Sequence, residues 1–392
     1  MSTQSSEKTE TRSPVSSSQE NSTDRRLPDV GDGPLNLHEY EDAARAVLPT
    51  TVYDYIARGA ADEVTLKGNC LAFDRWRLLP RVLRGGTATL GTTVLGQPVS
   101  MPILVAPMTS QRMAHPEGEL ASARAARGAD TIFILSTGSS YAIEDVAKHA
   151  GPWWFQVYFH NDRAVTRELV QRAEAAGASA LVPTVDTPVV GRREADERNP
   201  FTLPEGVTFA NFEPPYHVTP QTTSGSSMAR FVAMVLQPTL GWTDLEWLAS
   251  ISSLPVIPKG IVSPEDARIA IENGARAVIV SNHGGRQLDD VVATLDALPA
   301  VAHIAAGKAE VLVDGGIRRG TDVLKAMALG ARAVLLGRPV YWGLAVAGES
   351  GVERVLQLIR AELELGFRLS GCTTVDDISR SLVVPTRPLA EL

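Results

Sequence analysis

The sequence predicts an α/β fold in which eight parallel strands close into a (β/α)8 barrel, with a helical segment before it and a long insertion after the fourth strand. Eight short, continuously apolar runs follow one another after Pro98, as expected of strands buried on both faces. Amphipathic, alanine-rich segments separate the runs. The alternation occupies roughly 250 residues, the usual size of such a barrel. An open, doubly wound sheet is the alternative.

The eight strands are each rich in β-branched or large apolar residues. They are Ile103–Ala106, Thr131–Ser136, Trp154–Phe159, Ala180–Val185, Val256–Lys259, Ala277–Ser281, Val311–Asp314 and Ala333–Leu336. A Gly-Ala pair recurs between a helix-like segment and a strand, beginning at Gly128, Gly177, Gly274 and Gly330. Glycine just past a helix end supplies the left-handed residue that closes the last turn. Ser263-Pro264-Glu265 has the opposite signature, that of a helix start. These signals indicate repeated units of the TIM-barrel kind.

Three further segments complete the predicted organisation. Residues 1–34 are rich in Ser, Thr and charge and lack aromatic residues, so they cannot bury enough apolar area to offset their ordering entropy, and we expect a disordered tail. An additional structured subdomain is the alternative. The main domain is expected over residues 35–392, opening with helical spacing from Leu37 to Ile56 that is interrupted at Pro49. Residues 189–250 form the insertion, which we expect to cover the active site.

Composition excludes several classes of function. The 392 residues carry a formal net charge of −8, which gives no general attraction for nucleic acid or an anionic membrane. No apolar run is long enough to span a bilayer, and the first residues lack the features of a signal or transit peptide. The two cysteines, Cys70 and Cys372, lack metal-binding spacing. We therefore expect a cytoplasmic protein without a metal site.

Polar and charged groups follow six of the predicted strands. In a barrel of this kind the catalytic groups project from the carboxyl ends of the strands. These ends are Gln156-Val157-Tyr158, Thr184-Val185-Asp186-Thr187-Pro188, Lys259-Gly260, Ser281-Asn282-His283-Gly284-Gly285-Arg286, Asp314-Gly315-Gly316-Ile317-Arg318 and Gly337-Arg338-Pro339. Each alone has a structural explanation, but six on one rim indicate a ligand site. The last two suit a phosphate, because successive glycine N–H groups and arginine side chains bind anions.

His283 is the main candidate for an acid/base group, because imidazole exchanges a proton near neutral pH and the neighbouring glycines let a ligand approach closely. Asp186 is positioned to orient it; capping the Thr187-Pro188 turn is the alternative. Arg193 and Arg286 are candidates for binding a carboxylate bidentately. For Arg193 the alternative is a surface charge paired with Glu194.

Three more side chains remain ambiguous at this point. Tyr55 and Tyr158 have hydroxyl groups that could donate hydrogen bonds to a substrate, although a tyrosine is more often part of the core. Lys259, at a buried strand end, requires an anionic partner or a shifted pKa. An electron-rich ring would provide that partner.

Taken together, these motifs resemble the FMN-dependent 2-hydroxy acid oxidases and dehydrogenases. The resemblance extends from about Leu37 to Arg380. Its most specific stretches are Ser281-Asn282-His283-Gly284-Gly285-Arg286-Gln287-Leu288-Asp289, Asp314-Gly315-Gly316-Ile317-Arg318-Arg319-Gly320, Met113-Ala114-His115-Pro116-Glu117-Gly118-Glu119 and Gly191-Arg192-Arg193-Glu194-Ala195-Asp196. It implies FMN as cofactor, a small L-2-hydroxy acid as substrate, O2 or another electron acceptor, and a homotetramer or octamer.

The resemblance also implies residue roles. His283 looks like the active-site base oriented by Asp186, Arg193 and Arg286 like the carboxylate pair, and Tyr55 and Tyr158 like the substrate-contacting tyrosines. Lys259 resembles the cation beside the flavin ring. Other implied cofactor contacts are Pro107, Met108, Thr109, Ser136, Gln156, Thr184 and Ser281 for the ring, Asp314 for the ribityl chain, and Gly315, Gly316, Arg318, Gly337 and Arg338 for the phosphate.

Two positions depart from the family pattern. Gly138 stands where glycolate oxidases have an aromatic residue that narrows the pocket, which predicts an aryl or long-chain substrate such as mandelate. Phe209 or Phe212 refilling this space is the alternative. Thr109 stands where the family usually has Gly or Ala, close to the reactive flavin edge. A dehydrogenase with a non-oxygen acceptor therefore stays an alternative to an oxidase, and a flavin-dependent isomerase is a third. The sequence does not distinguish loss of a hydride from loss of a proton at the substrate carbon.

Overall fold

The computed structural model of the chain describes Met1 and residues 33–199, 201–212 and 237–386. Residues 34–392 belong to one structural unit and residues 1–33 to another. The predicted tail lies outside the described residues, apart from Met1, Gly33 and Pro34. Residues 213–236 of the predicted insertion also lie outside them.

The strands are numbered β1 to β12 in chain order over the described residues. They are β1 (Trp76–Leu78), β2 (Thr92–Val94), β3 (Gln97–Val99), β4 (Ile103–Val105), β5 (Phe133–Ser136), β6 (Trp153–Val157), β7 (Leu181–Pro183), β8 (Lys259–Ile261), β9 (Ala277–Val280), β10 (Glu310–Asp314), β11 (Ala333–Leu336) and β12 (Val383–Pro385). Strands β4 to β11 form one parallel sheet in the order β7-β6-β5-β4-β11-β10-β9-β8. Parallel bridges from Leu181 to Val256 and from Thr184 to Lys259 join its two edges, which confirms the closed barrel.

The α-helices of the described residues are numbered in the same way. They are α1 (Leu37–Val47), α2 (Thr50–Ala57), α3 (Val64–Leu71), α4 (Gly118–Gly128), α5 (Ile143–Ala147), α6 (Arg163–Ala175), α7 (Glu194–Arg198), α8 (Trp242–Ser250), α9 (Pro264–Glu272), α10 (Thr294–Ala305), α11 (Gly320–Ala328) and α12 (Arg338–Ser370). One helix follows each barrel strand except β7, after which α7 and α8 occur. Within the described part of the chain, none of these helices combines the length and apolarity needed to cross a bilayer.

Local sequence signals explain most helix ends. Pro49 separates α1 from α2, as predicted. Ser263 caps α9, its Oγ accepting the N–H of Asp266. Gly177, Gly274 and Gly330 have left-handed φ angles of 94°, 88° and 112°, as the Gly-Ala repeat predicts. The prediction is wrong for the first pair: Gly128 is the last residue of α4, and the left-handed residue after it is Asp130, with φ 49°.

The fifth barrel strand begins later than predicted. We expected Val256–Lys259, whereas β8 begins at Lys259 and ends at Ile261. Pro255 and Pro258 explain the difference, because proline has no N–H to donate to a neighbouring strand. Val256 contributes only an isolated bridge to β7. Lys259 therefore opens its strand instead of closing it.

The amino end of the barrel is filled by apolar side chains. Leu104, Ile134, Trp154 and other barrel residues form a buried cluster with Val94 and Val99 of the β2–β3 hairpin. The N–H of Leu95 in this hairpin donates to Glu310 Oε2, at the start of β10 (2.9 Å). Because the hairpin occupies this end, polar groups have room to gather only at the carboxyl end.

Candidate active site

A deep cleft lies at the carboxyl ends of the barrel strands, with about 1480 Å³ of space not filled by atoms. This space includes solvent at its open mouth, and polar and charged side chains that could bind a ligand line it. Every site residue predicted from the sequence lines the cleft, except Asp186 and Ser281. The structure thus brings together side chains from all eight strand ends and from α2.

His283 and Asp186 form a partly buried pair, of which His283 lines the cleft. Nδ1 of His283 lies 3.0 Å from Oδ1 of Asp186, and Thr187 Oγ1 lies 3.2 Å from the same carboxylate oxygen. Burial alone would raise the pKa of the Asp186 carboxyl, but the charge and hydrogen bond of His283, together with Lys259, outweigh burial and hold that pKa below its ordinary value. The ionised Asp186 fixes Nδ1 as the protonated nitrogen, which leaves Nε2 of His283 to accept a proton.

His283 also has an unusual backbone. Its φ angle is 58°, in the left-handed region that only a few per cent of non-glycine residues adopt. The N–H of His283 donates to Ser281 Oγ at 3.1 Å, which helps to hold this conformation. Strained backbone of this kind is concentrated at functional sites.

Arg193 and Arg286 approach the same tyrosine ring. Their guanidinium carbons lie 5.3 Å and 5.0 Å from the ring centre of Tyr55. Arg193 Nε donates to Asp196 Oδ2 at 2.7 Å, and Arg286 Nη1 donates to the Tyr55 carbonyl at 2.6 Å. Burial, followed by the like charge of Arg193, lowers the pKa of Arg286. Among the described residues each arginine is anchored through one nitrogen, so the rest of each fork remains to bind an anion.

The two tyrosines flank this arginine pair. Tyr55 stacks on buried Phe201 with ring centres 4.3 Å apart, which fixes its ring plane. Burial and the nearby charge of Asp186 raise the pKa of Tyr158 well above its ordinary value. Its hydroxyl therefore stays protonated and can act as a hydrogen-bond donor.

Lys259 has its anionic partner within the chain. Its Nζ lies 2.8 Å from Asp314 Oδ2 and donates to Ser281 Oγ at 2.8 Å. Asp314 is therefore an anionic partner of Lys259 within the chain, and the contact of Lys259 with a reduced ring stays a prediction. Ser281 is fully buried and does not line the cleft, and its predicted contact with the ring stays a prediction. Asp314 Oδ1 is buried and accepts no hydrogen bond from the described residues, which suits a ligand hydroxyl.

A row of hydrogen bonds crosses the ends of three neighbouring strands. Ser136 Oγ donates to Gln156 Oε1 (3.0 Å), and Gln156 Nε2 donates to Thr184 Oγ1 (2.9 Å). All three side chains are almost fully buried, and all three line the cleft. This row offers donors and acceptors along one edge of a planar heterocycle.

The ends of β10 and β11 form a positively charged corner. Gly315 and Gly316 have φ angles of 93° and 81°, which a residue with a side chain rarely adopts. Burial, together with the charges of Arg286 and Arg318, lowers the pKa of Arg338 to about 9. Since arginine keeps its proton at physiological pH, burial is the larger cause of this shift, and the like charges of Arg286 and Arg318 add electrostatic repulsion. A phosphate in this corner would relieve it, so the chain's own residues fit a flavin nucleotide.

Sequence reasoning missed Tyr341, in the first turn of α12. Its hydroxyl donates to the carbonyl oxygen of Thr109, and burial raises the pKa of the phenol well above its ordinary value. No local motif marks this residue, because its partner precedes it by more than 200 positions. The role of Asp196 was also missed, although the i, i+3 spacing from Arg193 was a usable signal.

Residues 201–212 of the insertion pack over the end of β5. Asn211 Nδ2 donates to the Thr137 carbonyl at 3.1 Å, and the Ala210 N–H donates to the Ser139 carbonyl at 3.1 Å. Phe209 and Phe212 are buried, and both line the cleft beside Gly138. This part of the insertion therefore covers the end of β5, and it places both phenyl rings on the wall of the same cleft as Gly138.

Comparison with known proteins agrees with this geometry. Residues 44–385 match the family model described as FMN-dependent dehydrogenase. The L-lactate oxidase of Nostoc sp. is 50% identical over 357 residues, covering 89% of this chain and 98% of that protein. The human 2-hydroxyacid oxidase 1 is 48% identical over 354 residues, covering 88% and 95%. A crystal structure of mandelate oxidase with (S)-4-hydroxymandelic acid superposes with a TM-score of 0.87 at 44% identity, covering 90% of this chain and 99% of that chain.

Proposed function

Because this chain belongs to the family of FMN-dependent dehydrogenases, we propose that it oxidises an L-2-hydroxy acid to the 2-oxo acid with O2 as the final acceptor. The cofactor is FMN. In this reaction the substrate loses two electrons and two protons, and O2 gains them as hydrogen peroxide. The observation that carries the proposal is the His283–Asp186 pair at 3.0 Å, on the same cleft as Arg193 and Arg286.

The arginines bind the head of the substrate. Arg193 and Arg286 hold the carboxylate, and each charge-assisted hydrogen bond contributes roughly 1.5–3 kcal/mol. Tyr55 and Tyr158 donate to the remaining substrate oxygens. Asp196 keeps Arg193 in place through its 2.7 Å hydrogen bond.

His283 accepts the substrate proton on Nε2. The ionised Asp186 on Nδ1 stabilises the imidazolium that results, and partial burial of the pair limits its contact with bulk water. Whether that proton leaves the hydroxyl or the carbon is open, since either would reach the same nitrogen.

The remaining predicted residues hold the cofactor. When bound, FMN supplies the acceptor for two electrons from the substrate carbon. Pro107, Met108, Thr109, Ser136, Gln156 and Thr184 contact its ring, and Lys259 provides a positive charge beside it. Asp314 accepts from the ribityl chain, and Gly315, Gly316, Arg318, Gly337 and Arg338 bind the phosphate.

We propose that the substrate side chain is apolar and large, as in mandelate. The cleft beside Gly138 is lined by Phe209, Phe212 and Val190. Burying a phenyl ring against such a wall at about 25 cal/mol per Å² contributes on the order of 2 kcal/mol, or roughly thirtyfold in specificity. Because the two phenylalanines line the same cleft as Gly138, they would pack against such a substrate side chain.

Anaerobic mixing of the holoprotein with L-2-hydroxy acids tests the reaction, with the loss of flavin absorbance as the signal. We expect bleaching by the acids and little by their amides or esters, since those lack the carboxylate that the arginines bind. Equal bleaching by amides would contradict the arginine assignment. Readmission of O2 should restore the absorbance and release peroxide; restoration only by an artificial acceptor would identify a dehydrogenase.

A ratio of kcat/KM values tests the substrate side chain. We expect L-mandelate to exceed glycolate in the native protein. A preference for glycolate would show that the insertion closes the pocket around a small acid.

The compartment and assembly belong to the same proposal. The cytoplasm is supported by the two free thiols, Cys70 and Cys372, which are not paired in a disulfide. Assembly as a homotetramer or octamer is supported by the family resemblance, and light scattering of the purified holoprotein measures it directly.

A further inference from the structure

Thr109 and Gly138 lie next to each other on the cleft wall, in the loops after the neighbouring strands β4 and β5. A Cβ atom built on Gly138 would lie 2.8 Å from Cγ2 of Thr109, 3.2 Å from Oγ1 and 3.5 Å from Cβ. Contacts at the first of these distances essentially never occur between real side chains. Thr109 therefore fills the position that the first carbon of a side chain at residue 138 would need.

The backbone itself does not require glycine at this position. Gly138 is not among the residues with a positive φ angle, so its conformation is open to any L-amino acid. In contrast, Gly315 and Gly316 have left-handed conformations. The reason for glycine at 138 is thus the Thr109 side chain and not the turn.

The two loops cannot separate to make room. The N–H and the hydroxyl of Ser110 both donate to the Gly138 carbonyl, at 2.8 Å and 3.2 Å. The fully buried carboxylate of Glu119 accepts the N–H of Gln111 at 2.8 Å and the N–H of Ser140 at 2.9 Å, which joins the same loops on their far side.

The Thr109 side chain also has little freedom to rotate. Threonine is β-branched, so few χ1 rotamers are available to it. Its Oγ1 lies 3.3 Å from Ser136 Oγ, and its carbonyl oxygen accepts from Tyr341. Rotation away from residue 138 would break the first of these contacts.

We infer that Thr109 and Gly138 act as one coupled specificity determinant, whose two positions cannot both carry a side chain of full size. The inference rests on the proposed 2-hydroxy acid oxidation for its substrate consequence. In this chain the glycine leaves the rim open at position 138, and the Thr109 methyl group lies against that position. A pocket for a small acid requires changes at both positions: a large residue at 138 and a residue no larger than alanine at 109.

A double-mutant cycle with alanine measures the coupling without any substrate. Gly138→Ala in the native background should lower the melting temperature of the holoprotein and weaken FMN binding by roughly tenfold, as overpacking typically does. In the Thr109→Ala background the same change should have almost no effect, because only the 3.5 Å contact to Cβ remains. The matched control is Gly85→Ala, since a Cβ at Gly85 meets nothing within 4 Å. Equal effects of Gly138→Ala in the two backgrounds would overturn the inference.

A second pair of variants measures specificity. Gly138→Trp alone should lose kcat/KM for both glycolate and L-mandelate, because the indole displaces Thr109 toward the reacting groups. Thr109→Ala/Gly138→Trp should recover glycolate turnover and prefer it over mandelate by roughly tenfold or more. If the single variant already prefers glycolate as strongly as the double variant, the two positions are independent. If the native protein oxidises no 2-hydroxy acid, the proposed function fails, while the alanine cycle still decides the coupling.

Discussion

His283 combines a strained backbone with a buried carboxylate partner. Its left-handed φ of 58° turns the side chain between the cleft and Asp186, and Gly284 follows with φ 64°. A Cβ at Gly284 would lie 2.7 Å from Arg338 Nη1, so the glycine is required by close packing as well as by conformation. Asp186 and Arg338, from two other strand ends, thus constrain the segment that carries the imidazole.

Replacing His283 with Ala should leave FMN bound but slow its reduction by an L-2-hydroxy acid by roughly 10²–10⁴-fold, the usual effect of losing an acid/base group. Stopped-flow absorbance under anaerobic conditions measures this rate. His303→Ala, which changes an exposed histidine on α10, is the matched control and should reduce at the native rate. Near-native reduction in the His283 variant would remove this residue from the chemistry.

At the level of secondary-structure elements, one buried carboxylate joins the loops after β4 and β5 through hydrogen bonds. Glu119 begins the first turn of α4 and accepts hydrogen bonds from both loops, including one from Ser140 Oγ at 2.6 Å. Burial raises the pKa of this carboxyl. A carboxyl whose pKa differs between the folded and the unfolded protein makes the free energy of unfolding depend on pH, so its contribution to stability can be measured.

Glu119→Gln should change how stability depends on pH. The folded pKa of Glu119 is raised, so the stability that its proton contributes is complete below the ordinary value of about 4.3 and is lost as pH rises through the folded pKa. Glutamine does not ionise, and its side-chain oxygen can still accept hydrogen bonds from the N–H groups of Gln111 and Ser140. The free energy of unfolding of the native protein, minus that of the variant, should therefore fall with rising pH.

Urea unfolding between about pH 4 and about pH 8 measures this difference. Glu364→Gln, on the exposed face of α12, is the control and should show a constant difference from the native protein. A constant difference for Glu119→Gln as well would mean that burial does not affect this carboxyl.

The loops after β10 and β11 should bind inorganic phosphate in the protein stripped of FMN. Arg318, Arg338 and Arg286 repel one another there, and an anion relieves that repulsion. At a phosphate concentration about 100 times its Kd, binding stabilises the fold by about 2.7 kcal/mol. Thermal unfolding in phosphate and in chloride of equal ionic strength measures the effect. Arg318→Gln should weaken it, and equal melting temperatures in the two salts for the native protein would contradict a phosphate site.

For the whole molecule, closure of the barrel determines which side chains meet. The bridge from Thr184 to Lys259 joins the first and last strands of the sheet, and it brings Asp186 close to Gly260, where a Cβ would lie 2.6 Å from the Asp186 side chain. The helices before the barrel are held from the cleft side, since Arg338 Nε donates to the Ile56 carbonyl at 3.0 Å. The contacts that close the barrel and the contacts that hold these helices therefore lie around the same cleft.

Deletion of the residues before Asn36 should leave FMN content and turnover unchanged. Asn36 caps the first helix of the main domain, its side chain accepting the N–H groups of His38 and Glu39. The deleted segment has no aromatic residue to anchor it. Flavin absorbance per protein and kcat measure the outcome, and a shortened protein that misfolds or assembles differently would show that the segment is part of the fold.

Much of this fold and site could be predicted from local sequence, because the burial and the order of the strands determine which residues lie on the rim of the barrel. Continuous apolar runs identified seven of the barrel strands and placed the fifth too early, and the polar residues near the strand ends lie on the cleft because parallel strands end at the same face. His283 and Arg286 were predicted in this way before any contact was known. The implied cofactor contacts follow the same logic, since most are strand-end residues.

The sequence by itself therefore determined the barrel, its repeated units and which residues line the cleft, since these depend on periodicity and on position along each strand. Only the tertiary structure decided which of those side chains touch. It paired Lys259 with Asp314, kept Ser281 out of the cleft, brought Tyr341 to Thr109 and placed Thr109 against Gly138. The physical reason is that each of these contacts joins segments distant in the chain, and their distances depend on barrel closure and side-chain packing, which no local pattern records.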